Sequence, residues 1–151
     1  MPPIAAGLLM FRRKGDEKEY FLVHPGGPFY TKKNQGVWSI PKGLPEGNEI
    51  IFDTAKREFF EETGITPLAP YYELGWVQSK SRKIIHVWAF EGEWNPAQGI
   101  VCNMFDLEWP PKSGKVMKFP EADRAAWMDY ETALLMINSS QLPFLERAKL
   151  L

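Results

Sequence analysis

One 23-residue window, GLPEGNEIIFDTAKREFFEETGI from Gly43 to Ile65, constrains this chain more than anything else in it. Five residues after Gly43 comes Glu49. Seven more lead to Arg57-Glu58, the apolar Phe59, the pair Glu61-Glu62, then Gly64 and the apolar Ile65. With residue usage of about 6–7% each, seven fixed positions coincide by chance in roughly 10⁻⁹ of windows. The pattern therefore has to be explained by structure or chemistry.

Periodicity predicts a helix over Asn48 to Thr63. Asn48 is placed to cap it, and Glu49 and Asp53 put negative charge in the early turns, where the helix dipole favours it. Phe52, Ala55 and Phe59 recur at helical spacing and make one apolar stripe. Gly64 falls where a glycine closes a helix. Glu58, Glu61 and Glu62 stand at i, i+3 and i+4, so three carboxylates converge on one patch of helix surface. Like charges at that spacing repel, and a hard divalent cation relieves the repulsion. An isolated Glu-x-x-Glu-Glu is ordinarily a solvated acidic face. The glycines, Glu49 and Arg57 at fixed spacing around it shift the reading toward a site. Arg57, four residues before Glu61, is expected to orient a carboxylate of the cluster by a bidentate contact.

At 151 residues and 17.4 kDa, with 44% hydrophobic and 25% charged residues, the chain is expected to form one domain over residues 1–151. A net charge of −1 carries no footprint of a general nucleic-acid binder. The single Cys102 excludes an internal disulfide and lies in an apolar run, where a buried thiol is expected. Positive charges follow the apolar run of the N-terminus instead of preceding it, so it reads as a strand and not as a signal peptide. No apolar run is long enough for a membrane span. These features point to a cytoplasmic protein; a monomer or homodimer is expected, with nothing in the sequence choosing between them.

Strands are expected at Ile4–Arg13, Glu19–Val23, Val37–Ile40, Tyr71–Gln78, Ile84–Phe90, Val101–Leu107 and Ala125–Met128. Helices are expected at Tyr130–Ile137 and Leu142–Leu150, split at Pro143. His24 to Pro28 and the Pro-, Gly- and Lys-rich stretch from Glu108 to Glu121 read as loops. This order suggests a layered α+β sandwich.

The window is the Nudix box with every fixed position filled, and the chain resembles a Nudix hydrolase of the MutT-like kind. It is similar to small bacterial Nudix proteins described as nucleoside triphosphate pyrophosphohydrolases. The resemblance implies an α/β/α sandwich with a mixed sheet between helices. It implies that Glu58, Glu61 and Glu62 carry Mg²⁺, with Mn²⁺ able to substitute, or that one of the three serves as base. It adds the backbone carbonyl of Lys42 to the metal shell and gives Gly43, Glu49, Arg57 and Gly64 supporting roles. Gly47 stands one residue earlier than is common in the box loop, which reads Gly47-Asn48-Glu49 here.

Trp38-x-x-Pro41-Lys42-Gly43 resembles the lead-in of Nudix enzymes that hydrolyse dinucleoside polyphosphates or diphosphoinositol phosphates. Trp38 and Lys42 are thereby candidates for substrate contact; the plain alternative is a core tryptophan and a solvated lysine. Lys32, Lys33, Lys80, Arg82 and Lys83 can hold phosphate charge if they face the box. His86 is either a satisfied strand histidine or a contact to the leaving phosphate. Glu121, ahead of Glu108, is the candidate for an extra metal ligand from a late loop. The expected activity is Mg²⁺-dependent hydrolysis of a nucleoside diphosphate linked to a group X, a triphosphate or dinucleoside polyphosphate. An RNA 5′-end pyrophosphohydrolase and a non-catalytic nucleotide- or RNA-binding module remain alternatives. Modules of the second kind typically lose box glutamates, and none is lost here.

Overall fold

The computed structural model describes residues 3–151. Strands β1 (Ile4–Lys14) and β2 (Glu17–Pro25) form an antiparallel hairpin, and the two-residue β3 (Lys42–Gly43) pairs with the first half of β1. Helix α1 (Ile51–Thr63) follows, then the hairpin β4 (Tyr71–Gln78) and β5 (Ile84–Glu91). Next come β6 (Met104–Glu108), β7 (Val116–Pro120), β8 (Ala122–Met128), α2 (Tyr130–Met136) and α3 (Leu142–Lys149). The main sheet runs β4-β5-β1-β2-β8, with β3 beside β1; β6 and β7 form a separate two-stranded arm. β1 and β5 are parallel, while the other pairs are antiparallel, so the sheet is mixed as expected.

Alternation along β1 builds two cores. Ala6, Leu8 and Met10 face α1, packing with Phe21, Ala55, Phe59 and Phe90. Leu9 and Phe11 face the opposite side, with Tyr20, Leu22, Val87, Phe144 and Leu145 under α2 and α3. β1 is therefore buried on both faces, which accounts for its unbroken run of apolar residues. Phe59 anchors α1 edge-on against Phe90, with ring centres 5.2 Å apart.

Several boundaries differ from the sequence expectation. α1 begins at Ile51, preceded by an extended Ile50 with no side-chain cap. Asn48 is not the cap, because Glu46 to Glu49 form a turn closed by Glu49 N–H to the Glu46 carbonyl at 3.1 Å. Glu49 consequently stands before the helix and not in its first turn. His24 and Pro25 belong to β2, where Pro25 ends the pairing with β8 at a register shift. Val37–Ile40 is not a strand; only isolated bridges from Trp38 to Ile137 and from Ser39 to Val23 remain. The stretch from Glu108 to Glu121 is not one loop. Val116–Pro120 pairs with Met104–Glu108, and only the tip between them is irregular. Cys102 is half-buried, its thiol directed to the Ala122 carbonyl at 3.1 Å.

Candidate active site

The chain enters the site through β3. Gly43 lies opposite Ala6, and the Glu58 carboxylate occupies the space that a β-carbon on Gly43 would fill. A side chain here would push Glu58 away, which explains why the position needs glycine. One residue earlier, the Lys42 N–H donates to Glu62 Oε2 at 2.6 Å. At the far end of α1, Gly64 adopts the left-handed conformation (φ 76°), and its N–H bonds the Phe60 carbonyl at 2.7 Å.

Arg57 organises the carboxylates. Its Nε and Nη2 donate to the two oxygens of Glu49, each at 2.9 Å. Its Nη1 donates to Glu61 at 2.7 Å and to Glu58 at 2.9 Å, and Nη2 also reaches the Leu44 carbonyl. The bidentate partner is thus Glu49, not a member of the expected cluster; Glu58 and Glu61 each receive one bond from the same nitrogen. This fork, helped by the Thr54 hydroxyl, pulls the Glu49 carboxyl down to about 2. The same contacts hold the Arg57 guanidinium in its charged form.

Burial acts in the opposite sense on Glu58 and Glu62. It pushes Glu62 up to about 8, against the opposing Lys42 N–H bond and charge, with the negative charges of Glu58 and Glu121 adding to the rise. Glu58 is raised for the same reason, countered by Arg57 and reinforced by Glu61 and Glu121. Glu121 therefore lies within electrostatic reach of both. Its backbone is fixed: Asn103 N–H bonds the Glu61 carbonyl at 2.8 Å, Glu121 N–H bonds the Asn103 carbonyl at 2.9 Å, and Gly26 N–H bonds the Glu121 carbonyl at 3.1 Å. Among the described residues, no three His, Cys, Asp or Glu side chains are gathered closely enough to cage an ion. In this arrangement Glu58 and Glu61 turn to Arg57, and Glu62 turns to the Lys42 amide. Glu58 and Glu62, whose ionised forms burial and neighbouring carboxylates disfavour, stand with Glu61 as an oxygen donor set that suits a hard divalent cation.

On the other face of the sheet, beside α3, a cleft of about 880 Å³ opens next to β3. Lys42, Lys80, Lys83, Tyr30 and Ser140 line it, with Val77 and Ile85 among its apolar walls. Gln141 is 1% exposed and accepts from the Ile40 N–H at 2.8 Å, joining the segment before α3 to the lead-in. Ser79, Ser81 and the turn Asn138–Ser140 also face this cleft and carried no signal in the sequence.

Other candidates fall elsewhere. Trp38 is 5% exposed, its indole N–H bonded to Asn34 and its ring edge-on to His24. It is a core residue without a free face for substrate. Arg82, at the left-handed position of the hairpin turn (φ 65°), is exposed and does not line the cleft, whereas its neighbours Lys80 and Lys83 do. His86 lies on the α1 face, bonded to Glu73 at 2.6 Å and stacked on Trp88. Glu108 accepts from the Lys112 N–H and shapes the tip of the arm. His24 is fully buried between Asp123 and the Lys33 carbonyl and is structural.

Helix α1, which bears Glu58, Glu61 and Glu62, is thus docked through Gly43 of β3 onto the mixed sheet. The family model described as NUDIX domain matches residues 1–148, and the chain belongs to the Nudix family of hydrolases acting on pyrophosphate bonds. Solved structures share the fold. A C. elegans Ap4A hydrolase binary complex is 20% identical with a TM-score of 0.62, covering 97% of this chain and 94% of that one. The NUDIX domain of Shewanella oneidensis NrtR, complexed with ADP ribose, is 15% identical with a TM-score of 0.66, covering 98% and 86%. A MutT protein from Methanosarcina mazei Go1 is 21% identical with a TM-score of 0.59, covering 97% and 92%.

Proposed function

We propose that the protein is a Mg²⁺-dependent pyrophosphohydrolase of a nucleoside diphosphate linked to a further group, with its nucleotide in the 880 Å³ cleft. The observation that carries this reading is the double engagement of Lys42: its amide holds Glu62, while its side chain lines the cleft. One residue thus joins the carboxylates to the space for substrate. Glu58, Glu61 and Glu62 are assigned as metal ligands, the Lys42 carbonyl as a further ligand and Glu121 as an outlying one. Mn²⁺ is expected to substitute. A divalent cation held there would neutralise phosphate charge and make a bound water more acidic. The residues themselves do the positioning. Arg57 sets the rotamers of Glu58 and Glu61, Glu49 braces Arg57, and Lys42, Lys80 and Lys83 supply positive charge to the phosphate chain. Two neighbours in fold, one named an Ap4A hydrolase and one complexed with ADP ribose, fit a substrate of this class.

The decisive experiment is a phosphate-release screen over nucleoside triphosphates, dinucleoside polyphosphates, nucleoside diphosphate sugars and capped RNA. Activity on the best substrate is expected to vanish in EDTA and return with excess Mg²⁺ or Mn²⁺. Full turnover after exhaustive chelation would overturn the assignment. For Lys42→Met we expect KM to rise about tenfold for substrates with long phosphate chains, the scale of one charged hydrogen bond, and less for short ones. An equal effect on both would return Lys42 to the solvent.

A further inference from the structure

The segment that leads into the site is not a strand, yet each of its peptides from Trp38 to the Lys42 amide is held. The Trp38 N–H bonds the Met136 carbonyl at 3.0 Å, and the Trp38 carbonyl accepts from the Asn138 N–H at 2.8 Å. Ser39 exchanges two bonds with Val23, each at 2.9 Å. The Pro41 carbonyl accepts from the Leu8 N–H at 3.2 Å, and the Lys42 N–H goes to Glu62 at 2.6 Å. At Ile40 the partners are side chains. Gln141 Oε1 accepts from the Ile40 N–H at 2.8 Å, and Gln141 Nε2 donates to Ser39 Oγ at 3.0 Å. That hydroxyl in turn donates to the Ile40 carbonyl at 2.8 Å. The amide of Gln141 thus stands in for a neighbouring peptide group. Its orientation is dictated by chemistry, because an N–H only donates and must face the oxygen.

Gln141 stands just before α3, where a side chain ordinarily caps the helix or turns to water. Here it makes no cap bond and is 1% exposed. Its own backbone is anchored. The Gln141 N–H bonds the Asn138 carbonyl at 2.9 Å, and the Asn138 side chain accepts from the Ser140 N–H at 3.0 Å. Ile137 and Phe144, on either side of this turn, are core residues. The turn is also a wall of the cleft. Between Ile40 and Lys42 lies Pro41, whose ring locks one backbone angle. Its main-chain bond, at 3.2 Å, is the longest of the series. A displacement of Ile40 is therefore passed on to Lys42 instead of being absorbed between them.

We infer that Gln141 is a positioning residue for the hydrolysis: through Ile40 and Pro41 it sets the Lys42 amide against Glu62. The turn that walls the cleft thereby also holds one of the box carboxylates. This role rests on the hydrolase reading above and adds to it a residue far outside the box.

The experiment compares wild type with Gln141→Met, Gln141→Asn and Gln141→Glu on the best substrate of the phosphate-release screen. Methionine keeps the length of the side chain but offers Ile40 no oxygen. Asparagine keeps the amide but is one methylene too short to reach. Glutamate keeps an oxygen on the Ile40 N–H, and the Ser39 hydroxyl can donate to the other. We expect kcat to fall roughly tenfold in Gln141→Met and Gln141→Asn, the low end of losing an orienting partner, with KM within a few-fold. Gln141→Glu should restore most of the loss. A second readout needs neither turnover nor metal. In chelator, the Lys42 amide proton of isotope-labelled protein should move upfield in Gln141→Met and Gln141→Asn as its short bond to Glu62 lengthens. It should move further than the Trp38 amide proton, which Met136 holds. Should Gln141→Met fail to fold, Gln141→Asn decides, since asparagine suits the start of a helix. A folded variant with a lower melting temperature but wild-type kcat and an unmoved Lys42 proton would overturn the positioning role. So would a raised KM with kcat kept, which would make Gln141 a substrate contact. Absence of any anhydride hydrolysis by wild type would instead overturn the hydrolase reading, with the Lys42 proton still deciding whether Gln141 sets that amide.

Discussion

Glu62→Gln and Glu58→Gln should each lower kcat by roughly 10²-fold or more while leaving the fold intact, the scale of losing a positioned acid–base group or electrostatic partner. The amide keeps the shape at each position, and in Glu62→Gln the side-chain carbonyl still accepts from the Lys42 N–H. What disappears is negative charge and ligand strength. Stability gives an independent check, because Glu62 is raised to about 8 in the folded chain from an ordinary value of 4.5. A carboxyl raised in this way holds its proton more tightly folded than unfolded. Its contribution is full below about pH 4.5 and is lost as pH rises through 8. In chelator, the melting temperature of Glu62→Gln should therefore match wild type near pH 4 and exceed it increasingly toward pH 9. Glu46→Gln, at a position the box leaves free where the exposed carboxylate stands 3.4 Å from Arg57 Nη1, should stay within a few-fold of wild-type kcat. Normal turnover in the cluster variants, or inactivity explained by unfolding, would reduce α1 to a scaffold.

Arg57→Lys is expected to fail although it conserves charge. One guanidinium reaches Glu49 through two nitrogens, Glu58 and Glu61 through a third, and the Leu44 carbonyl besides. An ammonium has neither the fork nor the span for this set. Loss of such an orienting partner costs roughly 10–100-fold in activity or metal affinity. Unfolding in urea should show a lower midpoint than wild type, because Glu49 and Glu61 lose donors. An Arg57→Lys enzyme with wild-type kcat/KM and urea midpoint would show that the ion pairs only decorate the helix.

Local patterns carry the helix and the central strands because each satisfies its own periodicity. The apolar residues of β1 and the stripe through Ala55 and Phe59 remain apolar in any context. The start of α1 is displaced from its expected place because Asn48 is a good cap in isolation, whereas the Glu49 carboxylate is committed to Arg57 and Thr54 and holds the preceding turn. β7 is hidden by Lys118 and Pro120, residues that a short exposed strand tolerates only with β6 beside it. The cleft is least legible. Gln141 meets Ile40 across 101 positions, and no window of sequence contains both. The box glutamates are readable as a group, but the commitment of Glu49 to Arg57 and of Glu62 to the Lys42 amide depends on where β3 docks.

The three backbone bonds from Glu61 through Asn103 and Glu121 to Gly26 have a consequence for how such a chain can diversify. They fasten both ends of the β6–β7 arm at its root. Everything from Met104 to Pro120 is thereby insulated from the carboxylates. Residues can be added, removed or exchanged at the tip without moving Glu121 relative to α1. A lineage, or an engineer, can graft a new arm to meet a new leaving group and inherit the reaction unchanged.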